Sequence, residues 1–386
     1  MTAHGEGSGR AFRVLIAGGG VAGLEAALAL RDLAGERIDT MILAPGADFV
    51  YRPMRVVEPF AYPEARRYPL EQIAQDIGAE LRRDAFKWLA GEEQIVHTEG
   101  GQRLTYDALL LALGARLHKR FEHAVTIDDG RLDEQLHGLI RDVEDGYARK
   151  LAFLVPTAMP WPLPIYELAL MTARRAYDMN VEVSITLVTP EDAPLAIFGQ
   201  KVSETVERLL EQHGILTIPS AHCETPAPGE VAIHPGRRSL YVDRVIALPE
   251  LYGPSVPGVP IYDSHGFIHV DVHGRVQGLE RVYAAGDATS FPVKHGGIAA
   301  QQADTAAEAI AADAGVPVEP RKFNPMIHGV LLGAEKPLYL SAHITGGHGS
   351  ASEVSETPTW SPPTKIVAKY LAPYLESRDQ RDQAAR

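Results

Sequence analysis

Residues 13–23 read Arg-Val-Leu-Ile-Ala-Gly-Gly-Gly-Val-Ala-Gly, and no other stretch limits the fold of this chain as tightly. Residues 14–17 are a short apolar run of the kind that forms a buried parallel strand. Gly18, Gly20 and Gly23 have the spacing G-x-G-x-x-G, and Leu-Glu-Ala-Ala-Leu-Ala-Leu continues from residue 24 as a helix. Each glycine has its own task. Gly18 permits a tight turn, Gly20 lets the backbone around Val21 and Ala22 approach a pyrophosphate, and Gly23 lets the helix pack on the strand. A pyrophosphate placed there meets unpaired N–H groups and the positive end of the helix dipole. Strand, turn and helix in this order predict a dinucleotide site at the start of the chain.

Composition narrows what surrounds that site. At 386 residues the chain is long enough for two or three domains. A net charge of −13 argues against nucleic acid and anionic membrane surfaces as general partners. No apolar run reaches the ~20 residues of a membrane span. The first ten residues read as a short flexible leader without the pattern of a signal peptide, so the cytoplasm is the expected compartment. There is a single cysteine, Cys223, expected to be structural. With no dithiol available, redox chemistry would have to reside in a bound cofactor.

Taken in order, residues 38–43 suit a second strand. The acid that commonly ends this strand and holds a ribose is missing: Leu43, Ala44 and Pro45 stand there. Backbone at Ala44, or Asp48, would have to serve instead. Arg52 and Pro53 lie where a loop could return toward the cofactor, with Arg52 facing either a phosphate or a surface carboxylate. Residues 79–113 alternate strands and turns and close on Leu-Ala-Leu-Gly-Ala, which includes Ala112 and Gly114.

Residues 132–146 read as a helix and 151–155 as the strand of a second βαβ unit. Its glycine turn is absent. Pro156, Pro160, Pro162 and Pro164 occupy that place, and proline has no amide with which to cradle phosphate. Trp161 and Tyr166 are candidates to fill or line a pocket, with residues 165–175 as the helix behind them. Strands and turns continue to residue 248, a linker spans 254–260, and an apolar strand ends at Gly286-Asp287. Lys294-His-Gly-Gly then opens another helix. Beyond residue 321, residues 346–355 look mobile. Residues 364–375 look helical, with Ile366, Val367, Tyr370, Leu371, Tyr374 and Leu375 on the apolar side. That helix would dock on its own protein or a second subunit, or meet a membrane surface with help from Lys365 and Lys369.

Three separated signals, residues 18–23, residues 111–115 and Val-Tyr-Ala-Ala-Gly-Asp at 282–287, together resemble the two-dinucleotide-binding-domain flavoproteins. These include pyridine nucleotide-disulfide reductases, type II NADH dehydrogenases, sulfide:quinone oxidoreductases and flavocytochrome c sulfide dehydrogenases. The resemblance implies an α/β chain with two Rossmann-like three-layer domains, of FAD and NAD type, plus a C-terminal interface region. The FAD domain would comprise 1–118 and 279–320, a degenerate NAD(P)-like domain 119–278, and the interface region 321–386. It implies FAD along the first domain, held by Gly18, Gly20, Val21, Ala22, Gly23, Ala44, Arg52, Pro53, Ala112, Gly114, Gly286, Asp287, Lys294, Gly296 and Gly297. Asp287 would bond the ribityl or pyrophosphate part. The helix opening at Lys294-His295-Gly296-Gly297 would aim at the flavin edge where charge accumulates on reduction.

Residues 160–167, Pro-Trp-Pro-Leu-Pro-Ile-Tyr-Glu, look most like the sulfide-oxidising branch, yet lack its cysteine. Sulfur chemistry through paired cysteines therefore does not carry over. Lys294, His295, Glu167 and Trp161 are the expected surroundings of the flavin ring, with Glu167 either handling protons or acting as a first-turn helix acid. The resulting expectation is an FAD-dependent oxidoreductase. It would pass electrons from a small reductant to a quinone or other acceptor, with no metal, and with peripheral membrane contact through the C-terminal helix and homodimer formation as further expectations. An NAD(P)H:acceptor oxidoreductase and a flavin-binding sensor or subunit without turnover are the two rivals.

Overall fold

The computed structural model describes residues 10–128, 132–157, 159, 161–345 and 348–384. Two parallel five-stranded sheets dominate it. The first has the order 282–284, 108–111, 12–17, 38–43, 80–82. The second has the order 125–126, 244–247, 150–154, 184–188, 215–218. In both, the strand that opens the main βαβ unit lies centrally, its two successors lie to one side and a later strand lies on the other. The two windings thus match, as the sequence suggested, although only the first has a glycine turn. Arg116–His118 pairs antiparallel with Glu250–Tyr252 and ties together the two crossings between the sheets.

Burial on both faces explains the strand sequences. Ala108–Leu111 is buried at every position, and so are Val14, Leu15, Ile16 and Ala17. The helix Val21–Ala34 packs on the helix Gly296–Asp313, and both bring alanines to one core, Ala26 and Ala29 from the first and Ala299, Ala303, Ala306 and Ala307 from the second. Alanine favours helix and leaves room for close approach of two axes. Cys223 is buried in the second unit's hairpin layer, and burial pushes its thiol up to about 12, which suits a structural role.

The last third differs from the sequence-based expectation in two places. His348–Ser355 is a strand, the third in an antiparallel sheet with Met326–Leu331 and Leu338–Thr345, where a mobile stretch was expected. Small polar residues make 348–355 read as a loop, and pairing with the strand just before it, Thr345 opposite His348 and Tyr339 opposite Ser355, orders it; residues 346 and 347 lie outside the described residues. The C-terminal helix is Leu371–Ala384, so residues 364–370 precede it. Of the docking alternatives, the segment takes its own protein. Ile366, Leu371 and Leu375 are buried in the first unit's core, and Lys365 is buried as well. Among the described residues, no helix is long and apolar enough to cross a membrane.

Glu25, fully buried on the first helix, anchors that C-terminal helix. Its carboxylate accepts from the N–H groups of Tyr370 at 2.9 Å and Leu371 at 2.5 Å, which caps the helix in trans. Asp304 lies beside it. Burial and then the neighbouring Glu25 push Asp304 up to about 8, while Lys369 and Arg321 oppose this. Glu25 is also raised, chiefly by burial. The pair therefore shares a proton at neutral pH. A carboxyl raised in the folded state stabilises fully below its unfolded range and loses that contribution as pH rises through about 8. Stability is expected to fall between about pH 4 and about pH 8, and Asp304→Asn should flatten the fall and raise the melting temperature at pH 9 by on the order of 1–3 °C. Thermal melts across that range test this, and a wild-type profile that is already flat contradicts the shared proton.

Candidate functional site

A cleft of about 700 Å³ opens outside the carboxyl ends of the sheet strands, where ligands of wound α/β folds bind. The glycine turn forms one wall. Gly18 has φ +131°, and a Cβ there would stand 2.1 Å from the Ala112 carbonyl oxygen. A Cβ on Gly23 would stand 2.0 Å from the Gly18 carbonyl oxygen, so helix and turn are in direct backbone contact. A Cβ on Gly20 would meet nothing within 4 Å. Gly20 thus faces open cleft at the helix N-terminus, where a pyrophosphate needs room. This fits the cofactor the sequence implied.

Most of the expected site residues converge here. Gly18, Gly20, Val21, Ala22, Ala44, Arg52, Pro53, Gly114, Gly286, Asp287, Lys294, His295, Gly296, Trp161 and Glu167 all line the cleft. Gly23 and Ala112 support the turn from behind. Gly297 does not line the cleft, because its N–H donates to His295 Nδ1 at 3.1 Å. Gln302, which the sequence did not single out, fixes the Gly286-Asp287 turn. Its side-chain oxygen accepts from the Gly286 N–H at 2.8 Å, and its amide reaches Thr289.

His295 caps the helix Gly296–Asp313 and lies 4.4 Å from the Trp161 ring. Burial, with His328 and Lys365 nearby, pushes it down to about 3. It is a neutral ring near the cleft, and with Nδ1 accepting, Nε2 carries the proton. Lys294 is buried against the Phe267 ring at 4.0 Å, and its Nζ donates to the Thr289 carbonyl. Burial lowers it to about 8, against the pull of Asp287 and Asp263. Lys294 is therefore the cation of this corner and His295 is not.

Glu167 is neither a free acid nor a first-turn helix acid. It is 1% exposed, accepts from Lys365 Nζ at 2.6 and 2.8 Å, and accepts from the Leu332 N–H at 2.9 Å. Burial raises it, while Lys365 and then the Leu332 amide work in the opposite direction. Lys365 also donates to the Pro53 carbonyl at 3.3 Å. Its role was invisible in the sequence, where it read as a surface lysine on an amphipathic helix. Tyr166 lines no part of the cleft. It is fully buried and donates to Glu191 at 2.7 Å. Pro162 and Pro164 sit at the start of the helix Leu163–Asp178, where amide donors would be needed for a second phosphate site, and Pro160 lies outside the described residues. No group of side chains able to hold a metal occurs among the described residues.

The family profile described as pyridine nucleotide-disulphide oxidoreductase matches residues 12–152. No curated protein matches the chain by sequence. Among solved structures, the sulfide:quinone oxidoreductase of the hyperthermophilic bacterium Aquifex aeolicus is similar with a TM-score of 0.79 at 16% identity, covering 96% of this chain and 90% of that one. A ferredoxin reductase from Rhodopseudomonas palustris has a TM-score of 0.67 at 18% identity, covering 86% and 83%. An NAD-dependent persulfide reductase from A. fulgidus has 0.63 at 19%, covering 87% of this chain and 65% of that one.

Removing one member of the buried Glu167–Lys365 pair leaves an uncompensated charge. Lys365→Met is expected to cost about 3–5 kcal/mol of stability, and Glu167→Gln combined with Lys365→Met to restore much of it. Denaturant unfolding of the single and double variants measures this, and additive losses would show that the two groups act separately.

Proposed function

We propose, from a fold that is that of the two-dinucleotide-binding-domain flavoprotein oxidoreductases, that this chain binds FAD along the cleft and oxidises a small reductant, passing electrons to a quinone or another acceptor. The observation that carries this reading is a continuous cleft. At one end is a phosphate-ready glycine turn, and at the other an apolar lobe of Met159, Trp161, Leu163 and Val330. FAD would supply the two-electron chemistry. The chain's own residues bind, orient and shape the field around it. Gly18, Gly20 and Asp287 would hold the pyrophosphate and ribityl region. The helix beginning at Gly296 and the charged Lys294 would favour negative charge at the ring. Trp161 and the paired Glu167 and Lys365 close the lobe against water. The one cysteine lies in another core, which supports chemistry without a thiol relay.

The NAD(P)H reading is supported by the matching winding of the second sheet and opposed by the prolines where its phosphate turn would be. An anaerobic visible spectrum separates the two. A flavin band is expected in the purified protein or after incubation with FAD, and it should persist on addition of NADH or NADPH. It should bleach with a small reductant, tried first with sulfide and thiols, and recover with a soluble quinone. Rapid bleaching by NADH would favour the dehydrogenase reading, and a flavin that no reductant bleaches would favour a sensor or subunit. A protein that stays colourless with FAD would overturn the proposal. Lys294→Met should lower the flavin potential by roughly 20–30 mV, about 1 kcal/mol for two electrons, measurable by dye equilibration.

A further inference from the structure

The strand Ile38–Leu43 ends without an acid, and the residue that follows it is closely packed. Ala44 is 2% exposed. A Cβ on Gly19 would lie 3.0 Å from the Ala44 Cβ and 2.7 Å from a Leu70 methyl, so this corner is already filled. A ribose left in the cleft with unpaired hydroxyls would forfeit hydrogen bonds to a charged acceptor.

Asp48 lies four residues further on. It opens the short strand Asp48–Val50, which pairs antiparallel with Arg67–Pro69. That strand is pinned on both sides: Phe49 is buried beside Tyr68 with ring centroids 6.2 Å apart, and the Leu70 N–H donates to the Ala47 carbonyl at 2.9 Å. Asp48 itself is exposed, lines the cleft, and makes no hydrogen bond or ion pair among the described residues. Neighbouring acids are committed elsewhere. Glu80 pairs with Arg82, and Asp84 accepts from the N–H groups of Ala85 and Gly100.

The geometry points to Asp48 as the residue that holds the ribose hydroxyls of the adenosine half of the cofactor, in place of an acid at position 44. This rests on the FAD reading above. A carboxylate on a pinned strand facing an open cleft can accept from two vicinal hydroxyls, and the turn 44–48 carries it past the corner that Ala44 and Leu70 occupy.

Affinity of the FAD-stripped full-length protein, read by flavin fluorescence, tests this. Two flavins are compared: FAD, and an analogue whose adenosine ribose lacks the 2′ and 3′ hydroxyls. Asp48→Ala should weaken FAD roughly tenfold, and wild type should lose a similar factor with the analogue. The two losses should not add, because both remove the same contact. Asp48→Asn, which keeps an acceptor but no charge, should fall between. Its affinity, with the wild-type comparison of the two flavins, decides the matter if Asp48→Ala does not fold by circular dichroism. Equal affinity of wild type for both flavins, unchanged affinity in the variants, or additive losses would overturn the assignment while leaving the FAD reading intact. Wild-type protein that takes up no flavin would overturn the FAD reading, and this one with it.

Discussion

The buried ion pair between Glu167 and Lys365 is the joint on which the rest of the cleft depends. Glu167 comes from the helix Leu163–Asp178 and Lys365 from the segment ahead of the C-terminal helix. The same two groups reach Leu332, at the end of the strand Met326–Leu331, and Pro53 beside the first unit. Four distant parts of the chain thus meet at one pair of charges. Such a pair adds little net stability over an apolar substitute, but it is costly to break and it accepts one geometry only. Here that geometry sets the spacing between the glycine turn and the Trp161 lobe, and hence the shape of the space between them.

The C-terminal segment brings Lys365 to that joint. Its helix is held on the first unit by Glu25 at its N-terminus. Further along, Arg378 reaches Asp76 and Gln72, and Tyr68 donates to Asp379. Fixed at that end, the segment lays Ile366 along the cleft wall, where the Ile366 N–H donates to the Tyr51 hydroxyl. A stretch that looks detachable by composition is a strap across the functional space. The carboxyl pair of Glu25 and Asp304 lies under one end of it, with Glu25 holding the Tyr370 and Leu371 N–H groups.

How much of the site was legible depended on whether the chemistry was local. The turn at Gly18–Gly23 combines a strand, a tight turn and a helix within a dozen residues, so its role follows from steric rules that hold in any such unit. The same holds for Gly286-Asp287 and for the prolines at 156–164. Gly18, Gly20, Gly286 and Asp287 line the cleft, and Pro162 and Pro164 start the helix Leu163–Asp178. Misreadings came where a residue's environment is made by distant chain. Lys365 read as a surface lysine, Glu167 as a proton handler or a first-turn helix acid, and Tyr166 as filling or lining a pocket. Each was judged by its neighbours in sequence, and each is governed by partners between 25 and about 200 positions away or by burial.

The sequence by itself determined the α/β class, the placement of the first dinucleotide turn, the loss of the second and the absence of any dithiol, because these follow from backbone sterics and from counting. Tertiary structure decided which charges are free. It paired Glu167 with Lys365, neutralised His295, filled the corner at Ala44 and left Asp48 facing the cleft. Ionisation and hydrogen-bonding state are properties of an environment assembled from several segments, and desolvation by burial has no signature in the local order of residues.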